Sequence, residues 1–144
     1  MNKKYDALKL ENQLCFPLYA ASREVVRQYH PFLSQLDLTY TQYIALMVLW
    51  EHGKVSVKEL GEKLHLDSGT LTPMLKGLEK KGYITRRRST EDERFLVVEI
   101  TEAGEKLKDA ALEIPAKVSK CVSISPEEAK QLYELLYKLL GCVR

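Results

Sequence analysis

Two helix-start signals in the middle of the chain constrain its fold more than any other feature. Ser56-Val57-Lys58-Glu59 has the pattern of a capping box, and Asp67-Ser68 places a second N-cap before another leucine-containing run. His65-Leu66 provides the turn between the two predicted helices, and Gly82 provides the C-cap of the second. Two short helices joined by a tight turn predict a helix-turn-helix motif.

Two β-branched and aromatic runs follow this motif. Tyr83 to Arg87 and Phe95 to Ile100 have the composition of short strands, and the segment between them, 88–94, is polar and charged throughout. The sequence therefore predicts a two-stranded β-wing with a charged tip.

Predicted helices flank the central part on its N-terminal side. Residues 6–30 carry an apolar stripe at helical spacing, and Pro17 requires that the main helix starts near it or bends there. We expect His30-Pro31 to end this helix. Thr39-Tyr40-Thr41-Gln42 is a capping box before a nearly all-apolar helix, which we expect to form the middle of the core.

Further helices are predicted on the C-terminal side. Thr101 starts a helix that extends to about Leu112, Pro115 marks a break, and Ser125-Pro126 starts the last helix. That helix has apolar residues at helical spacing: Ala129, Leu132, Leu136, Leu139 and Leu140. The fold class that follows is mainly α with a small β-wing.

Charge is distributed unevenly along the chain. The net charge is only +2, yet the stretch from Lys54 to Arg88 holds nine basic and four acidic side chains, so the remainder is net acidic. A basic centre between acidic arms is expected of a module that contacts phosphates, although such clusters can also be merely solvated faces.

Composition excludes several classes of protein. With 144 residues and 45% hydrophobic side chains, we expect one compact domain, and the absence of a long apolar run or a secretory signal predicts a cytoplasmic protein. Cys15, Cys121 and Cys142 are too widely spaced for a zinc site and odd in number for a disulfide framework. The three histidines also lack ligand spacing, so we expect neither a metal nor a cofactor.

The order of these elements resembles the MarR family of transcriptional regulators. The likeness covers nearly the whole chain and is carried by LDSGTLTPMLKGLEKKGYITRRRSTEDERFLVVEITEAG and LENQLCFPLYAASRE. Asp92-x-Arg94 at the wing tip is typical of the family, and Leu14-Cys15-Phe16 is similar to its organic hydroperoxide resistance branch. The resemblance implies one domain over 1–144, in which 39–100 form a winged helix-turn-helix and 1–38 and 101–144 form dimerisation helices.

By this resemblance, the second helix of the motif, Ser68 to Lys81, lies in the major groove of double-stranded DNA with its leucines facing inward. Arg94, held by Asp92, is expected in the minor groove, where a cation meets enhanced negative potential. The predicted DNA-binding residues are Ser68, Thr70, Thr72, Lys76, Arg86, Arg88, Asp92 and Arg94. For the hydroxyl side chains, simple helix capping is the alternative.

One copy of the chain would contact few phosphates. We therefore assign the apolar stripes at residues 8–29 and 129–140 to a two-fold homodimer interface, which predicts a pseudo-palindromic operator. The alternative is that both stripes only cover the protein's own core.

Cys15 is predicted to sense organic hydroperoxides. Only a thiolate attacks a peroxide, and an ordinary cysteine is mostly protonated at neutral pH, so the site must favour the ionised form. The resemblance implies that Tyr29 and Tyr40 of the partner subunit donate hydrogen bonds to the sulfur, with Tyr19 a weaker candidate. It also implies that Cys121 resolves the oxidised sulfur as an intersubunit disulfide. Cys142, two residues from the chain end, is expected to be incidental, and its reaction with the oxidised sulfur is the alternative.

Two other functions are compatible with the sequence. In the first, a small aromatic ligand releases a MarR-type repressor from DNA and Cys15 is an inert residue of an apolar stripe. In the second, the chain is a thiol peroxidase, but no acid or histidine adjoins Cys15 in sequence as a general base, and the basic wing would have no role. We therefore expect a repressor and not an enzyme.

Overall fold

The structure is a computed structural model that describes residues 3–142, so residues 1, 2, 143 and 144 of the predicted terminal segments lie outside it. The helices are α1 (Cys15–Leu33), α2 (Tyr40–His52), α3 (Val57–Leu64), α4 (Ser68–Lys80), α5 (Glu102–Ala111), α6 (Ile114–Ser119) and α7 (Pro126–Cys142). The strands are β1 (Lys54–Ser56), β2 (Ile84–Arg88) and β3 (Leu96–Ile100). Short 3-10 turns cover Lys3–Leu8, Leu10–Asn12 and Ser34–Leu36.

The chain divides into two compact units, one ending at Ile114 and the other beginning at Pro115. The first unit contains the sheet and α1 to α5, and the second contains α7. The mainly helical fold with a small β-wing is confirmed. Among the residues described, no helix is both long enough and apolar enough to cross a membrane.

Helix α1 begins at Cys15, so of the two expected alternatives the main helix starts near Pro17 and does not bend there. Pro17 is in the first turn, where the missing N–H has no helical partner to lose. The prediction that His30-Pro31 ends the helix is wrong, because α1 continues to Leu33. Pro31 removes only its own N–H from the last turn, and burial of Leu33 (2% exposed) stabilises that turn.

The capping box that starts α2 is confirmed. The Gln42 N–H donates to Thr39 Oγ1 and the Thr39 N–H donates to Gln42 Oε1, both at 3.2 Å. Helix α2 then buries Tyr43, Leu46 and Leu49 in the core, as its apolar composition predicts. These reciprocal hydrogen bonds satisfy two backbone N–H groups that the start of a helix leaves without a helical partner.

Helices α3 and α4 form the predicted helix-turn-helix. His65 adopts a left-handed conformation at the end of α3, and Asp67 caps α4 by accepting a hydrogen bond from the Thr70 N–H at 2.8 Å. A Cβ added to Gly61 would lie 2.9 Å from both the Leu66 carbonyl oxygen and a Leu71 methyl carbon. The close packing of the two helices therefore requires glycine at this position.

The sheet has three antiparallel strands in the order β1-β3-β2, so the prediction of a two-stranded wing was incomplete. Strand β1 has only three residues, too few for an alternating pattern to be visible. Val98 of β3 pairs with Val55 on one side and Arg86 on the other. The strand thus connects the wing to the buried core, where Val98 is fully buried.

Helix α5 is fixed against this core at its first turn. Trp50 Nε1 donates to the Gly104 carbonyl at 3.0 Å, and the Thr101 side chain accepts from the Gly104 N–H at 3.1 Å. A Cβ on Gly104 would lie 2.3 Å from the Tyr83 carbonyl oxygen, so a larger residue would force the backbones apart.

Helix α7 of the second unit starts with the predicted cap. The Glu128 N–H donates to Ser125 Oγ at 3.1 Å, and the Ser125 N–H donates to Glu128 Oε1 at 2.9 Å. None of the described residues of α7 is buried within this chain. Five of its large apolar side chains are exposed, namely Leu132, Tyr133, Leu135, Tyr137 and Leu139, whereas Leu136 and Leu140 are half-buried.

Candidate DNA interface and thiol site

Helix α4 presents one buried and one exposed face. Leu71, Leu75 and Leu78 are buried as predicted, and Met74, which the sequence analysis did not place, is buried beside them. The predicted DNA-contacting side chains are exposed on the other face: Ser68, Thr70, Thr72 and Lys76. This face is therefore available to an external partner.

Two of the hydroxyl side chains at the start of α4, those of Thr70 and Thr72, are already held in place. Thr72 Oγ1 donates to the Ser68 carbonyl at 2.9 Å. Backbone and side-chain hydrogen bonds from Thr70 lower the pKa of Asp67, so this N-cap carboxylate is ionised at neutral pH. These bonds orient the hydroxyls without consuming all their lone pairs, so capping and DNA contact are compatible.

The three arginines of β2 have different partners. Arg86 donates to Glu79 of α4 at 3.0 Å, and its side chain is only 18% exposed. Arg87 donates to Glu99 at 3.2 Å on the neighbouring strand. Arg88 is exposed and donates to the Glu93 carbonyl at 3.0 Å. Arg86 therefore joins the wing to α4, whereas Arg88 lies nearer the wing tip.

The wing tip is fixed by the predicted pair of Asp92 and Arg94. Arg94 Nη2 donates to Asp92 Oδ2 at 2.8 Å and Arg94 Nε donates to Asp92 Oδ1 at 3.0 Å, a two-point contact that restricts the guanidinium plane. The same hydrogen bonds lower the pKa of Asp92. Because 85% of the Arg94 side chain is exposed, the pair holds a cation outward at the tip.

The thiols are all free and exposed. Cys15 is the first residue of α1, among exposed apolar side chains that include Leu14, Phe16 and Leu18. Tyr19 is one turn further along and accepts a hydrogen bond from Arg23 at 3.4 Å. In the second unit, Cys121 follows α6 and donates to the Lys117 carbonyl at 3.6 Å, and Cys142 is the last residue of α7.

Tyr29 and Tyr40 lie side by side within one chain, with their ring centroids 4.9 Å apart. Tyr43 completes the cluster at 5.8 Å from Tyr29. Burial raises the pKa of Tyr29 and of Tyr40, and the neighbouring Tyr29 raises that of Tyr40 further. Both hydroxyls are therefore protonated at neutral pH and can donate hydrogen bonds to an anion.

Comparison with known proteins identifies the family of this chain. The family described as transcriptional regulators SarA/Rot matches residues 27–111. The organic hydroperoxide resistance transcriptional regulator of Bacillus subtilis (strain 168) is 54% identical over 140 residues, covering 97% of this chain and 95% of that protein. The chain belongs to the MarR-type winged-helix regulators, in the organic hydroperoxide resistance branch.

Two solved structures of one regulator are also similar to this one. Reduced AbfR bound to DNA is 37% identical, with 97% of each chain covered and a TM-score of 0.78. Disulfide-formed AbfR is 36% identical, covers 96% of this chain and 98% of its own, and has a TM-score of 0.65. The predicted membership of the hydroperoxide resistance branch is thus confirmed, and its winged helix is a DNA-binding module.

One polar network of the regulator was missed by the sequence analysis. Gln42 is buried, and its Oε1 accepts from Lys81 Nζ at 3.1 Å in addition to the Thr39 N–H. Lys81, at the C-cap of α4, also donates to the Asp37 carbonyl. A Cβ on Gly77 would lie 2.8 Å from Gln42 Nε2, so glycine permits this approach. The network joins the first turn of α2, which carries Tyr40, to the end of α4.

The ion pair formed by Glu79 was also not predicted from the sequence. It is paired with Arg86, which lies on a different element, so helical spacing gives no signal for the pair. The hydrogen bond from Arg86 lowers the pKa of Glu79. A single acid near the end of a helix, followed by a run of arginines, is the only sequence feature that points to it.

Proposed function

We propose that the reduced protein represses transcription as a homodimer on a pseudo-palindromic operator, and that oxidation of Cys15 by an organic hydroperoxide releases the DNA. The observation that carries this proposal is an exposed thiol at the start of α1, surrounded by exposed apolar side chains, in a member of the hydroperoxide resistance branch. An apolar surrounding favours organic peroxides over hydrogen peroxide.

DNA is contacted by the exposed face of α4 and by the wing. Ser68, Thr70, Thr72 and Lys76 reach base edges or phosphates in the major groove. Arg94 enters the minor groove in the orientation that Asp92 imposes, and Arg88 contacts phosphate beside it. Arg86, whose guanidinium is engaged by Glu79, contributes mainly by holding the wing at a fixed angle to α4.

The second copy of the chain covers the apolar side chains that this chain leaves exposed. Leu14 is 79% exposed and Leu135 is 63% exposed, and both lie in stripes where large apolar residues recur. Extensive exposed apolar surface is unfavourable in water and marks interaction sites. A two-fold dimer would bury these stripes and align two copies of α4 with two half-sites.

The sensing chemistry begins at the Cys15 sulfur. The thiolate attacks the terminal oxygen of the hydroperoxide, the O–O bond breaks, and the alkoxide leaves and takes up a proton as an alcohol. The product is a cysteine sulfenic acid. The Cys121 thiol of the partner subunit then attacks the sulfenic sulfur, forming a disulfide and releasing water. Before oxidation, Tyr29 and Tyr40 donate hydrogen bonds to the thiolate, with Tyr19 a weaker contributor.

The two AbfR structures support a conformational step in release. Their identity to this chain differs by one percentage point, yet the disulfide-formed chain has the lower TM-score, 0.65 against 0.78. The backbone of that relative therefore differs between the reduced, DNA-bound form and the disulfide form. We transfer this behaviour to the present regulator: a disulfide at Cys15 moves the two copies of α4 out of register with the operator.

Three single substitutions test the proposal. After treatment with cumene hydroperoxide, wild type and the matched control Cys142→Ser should lose DNA and give a band at twice the 16.6 kDa monomer mass on non-reducing electrophoresis. Cys15→Ser should keep DNA, and Cys121→Ser should lack the band.

Release of DNA from Cys15→Ser by the peroxide would overturn the sensing role and favour the aromatic-ligand alternative. Release from Cys121→Ser without the covalent band would remove only Cys121 from the scheme.

A further inference from the structure

A buried polar contact links the helix that carries Tyr40 to the helix proposed to read DNA. Gln42 lies in the first turn of α2, two residues after Tyr40, and only 6% of it is exposed. Its Oε1 accepts hydrogen bonds from the Thr39 N–H at 3.2 Å and from Lys81 Nζ at 3.1 Å. Because Lys81 is the C-cap residue of α4, one amide oxygen contacts both helices.

The ammonium of Lys81 also holds the loop that precedes α2. It donates to the carbonyl of Asp37, and the Asp37 carboxylate lies 3.7 Å from it. Asp37 has a left-handed backbone with φ of 53°, and the next residue, Leu38, is buried and donates its N–H to the Leu33 carbonyl at 3.0 Å. The same cation therefore contacts two consecutive segments, the loop after α1 and the first turn of α2.

Gly77 permits this contact from the side of α4. It lies inside the helix, where glycine is less favourable than any other residue except proline. A Cβ at this position would lie 2.8 Å from Gln42 Nε2. The Gly77 carbonyl also accepts the Lys81 N–H at 3.2 Å. The glycine thus allows α4 to approach the amide at a cost to the intrinsic stability of the helix.

This hydrogen bond constrains relative movement in a way that the surrounding apolar core does not. Apolar burial is non-directional, whereas a hydrogen bond weakens steeply when its distance or angle changes. An amide oxygen that loses its donor inside the protein is costly. We therefore expect the first turn of α2 and the end of α4 to move as one piece.

The position of Tyr40 connects this network to sensing. The rings of Tyr40 and Tyr29 lie 4.9 Å apart, centroid to centroid, and the proposed function places both hydroxyls against the partner's thiolate. We propose that Gln42 and Lys81 are positioning residues of the release step, because their hydrogen bond makes α4 follow the first turn of α2 when oxidation removes the thiolate. This inference rests on the proposed function and names the residues that couple its two sites.

Lys81→Met tests the coupling, since it removes the ammonium and keeps a side chain of similar length. Lys80→Met, at the exposed preceding position of α4, is the matched control because it removes the same charge from the same end of the helix. The probe is a fluorescein-labelled duplex that reduced wild-type protein selects from a random-sequence library. Fluorescence anisotropy measures the affinity of each protein for it before and after oxidation by cumene hydroperoxide.

The oxidised proteins give the decisive comparison. Oxidised Lys81→Met should bind the duplex about tenfold more tightly than oxidised Lys80→Met, because α4 no longer follows α2. The two variants should bind equally when reduced. Gln42→Met/Lys81→Met should match Lys81→Met, since both substitutions break one hydrogen bond. Gln42→Glu keeps an acceptor for Lys81 and for the Thr39 N–H, so it should release DNA as the wild type does.

The rate of oxidation separates coupling from an effect on the thiol. In a Cys121→Ser/Cys142→Ser background, where Cys15 is the only thiol, Lys81→Met should not change the rate of thiol loss. A changed rate, equal release by the two oxidised lysine variants, or weaker binding confined to reduced Lys81→Met would each overturn the coupling role. If oxidised wild type keeps DNA, the proposed function itself fails, and this inference fails with it.

Discussion

The central winged helix-turn-helix and the terminal helices are both rich in leucine, but they differ in how much of it they bury. In the centre, Leu46, Leu49, Leu60 and Leu78 are completely buried. At the termini, Leu14 and Leu135 are mostly exposed, and none of the described residues of α7 is buried. The centre therefore buries these leucines within a single chain, whereas the ends leave large apolar side chains exposed.

Truncation of a central leucine should have the largest effect on stability. Leu78→Ala removes a completely buried side chain and should lower the free energy of unfolding by about 2–5 kcal/mol, because a cavity remains. Chemical denaturation monitored by circular dichroism measures the loss. Leu132→Ala, at a half-exposed position of α7, is the control at protein concentrations where the chain is monomeric and should have little effect there.

Acidic substitutions on α7 should disrupt the proposed dimer interface without unfolding the winged helix-turn-helix. Leu135→Glu/Leu139→Glu should weaken the homodimer by at least about 3 kcal/mol, since two copies of each carboxylate would be buried. Sedimentation velocity measures the dimer, and binding to a two-half-site operator should fall with it. A variant that stays dimeric would show that the α7 stripe is not the interface.

Substitution of Arg94 tests the contribution of the wing tip to DNA affinity. Arg94→Gln should weaken operator binding by about 1–2 kcal/mol per half-site and lower the salt dependence of binding by about one ion per subunit. Asp92→Asn keeps the cation but loses the two-point contact, so it should weaken binding less and leave the salt dependence unchanged. Fluorescence anisotropy over a range of salt concentrations separates the two results, and equal salt slopes in all three proteins would contradict a contact by Arg94.

Loss of the α2 cap should have a smaller effect. Thr39→Ala removes the side chain that accepts the Gln42 N–H and should cost about 1 kcal/mol in unfolding free energy. Thermal denaturation measures this change. Thr39→Ser keeps the hydroxyl and should be close to wild type, whereas equal losses in both variants would show that the methyl group and not the cap matters.

The tyrosine cluster, which joins α1 to α2, predicts the weakest effect. Burial raises the pKa of Tyr29, Tyr40 and Tyr43, so the unfolded chain loses these phenolic protons first as the pH rises past about 10. Stability contributed by the protonated hydroxyls is present below that pH and declines as the pH rises through the raised values. Denaturation at several alkaline pH values should show this decline, and Tyr40→Phe should make it shallower. A decline of equal slope in both proteins would contradict the role of Tyr40.

Most local features of the fold could be predicted from the sequence because their partners are close along the chain. Thr39, Asp67, Thr101 and Ser125 all cap the helices that their positions indicated. The end of α1 was predicted wrongly, because burial of Leu33 outweighs the local preference of Pro31. Strand β1 was missed because pairing with β3, and not its own composition, makes it a strand.

The sequence predicted those site residues that act alone or with a neighbour in the chain. It did not predict those that pair with a residue of another helix or strand. The outward face of α4 and the Asp92–Arg94 pair follow from helical spacing and from adjacency. Arg86 was expected to face DNA together with Arg88, yet the structure engages it with Glu79. Helical spacing could not indicate that contact, or the one between Lys81 and Gln42, because each depends on how separate elements pack.

The side-chain amide of Gln42 connects the start of α2 to the end of α4. Its oxygen is held at once by the backbone of Thr39, next to Tyr40, and by the ammonium of Lys81 at the end of α4. A buried oxygen with two donors cannot shift without straining or losing one of them. A displacement of the first turn of α2 is therefore opposed by a hydrogen bond to the residue that ends α4, without an intervening loop.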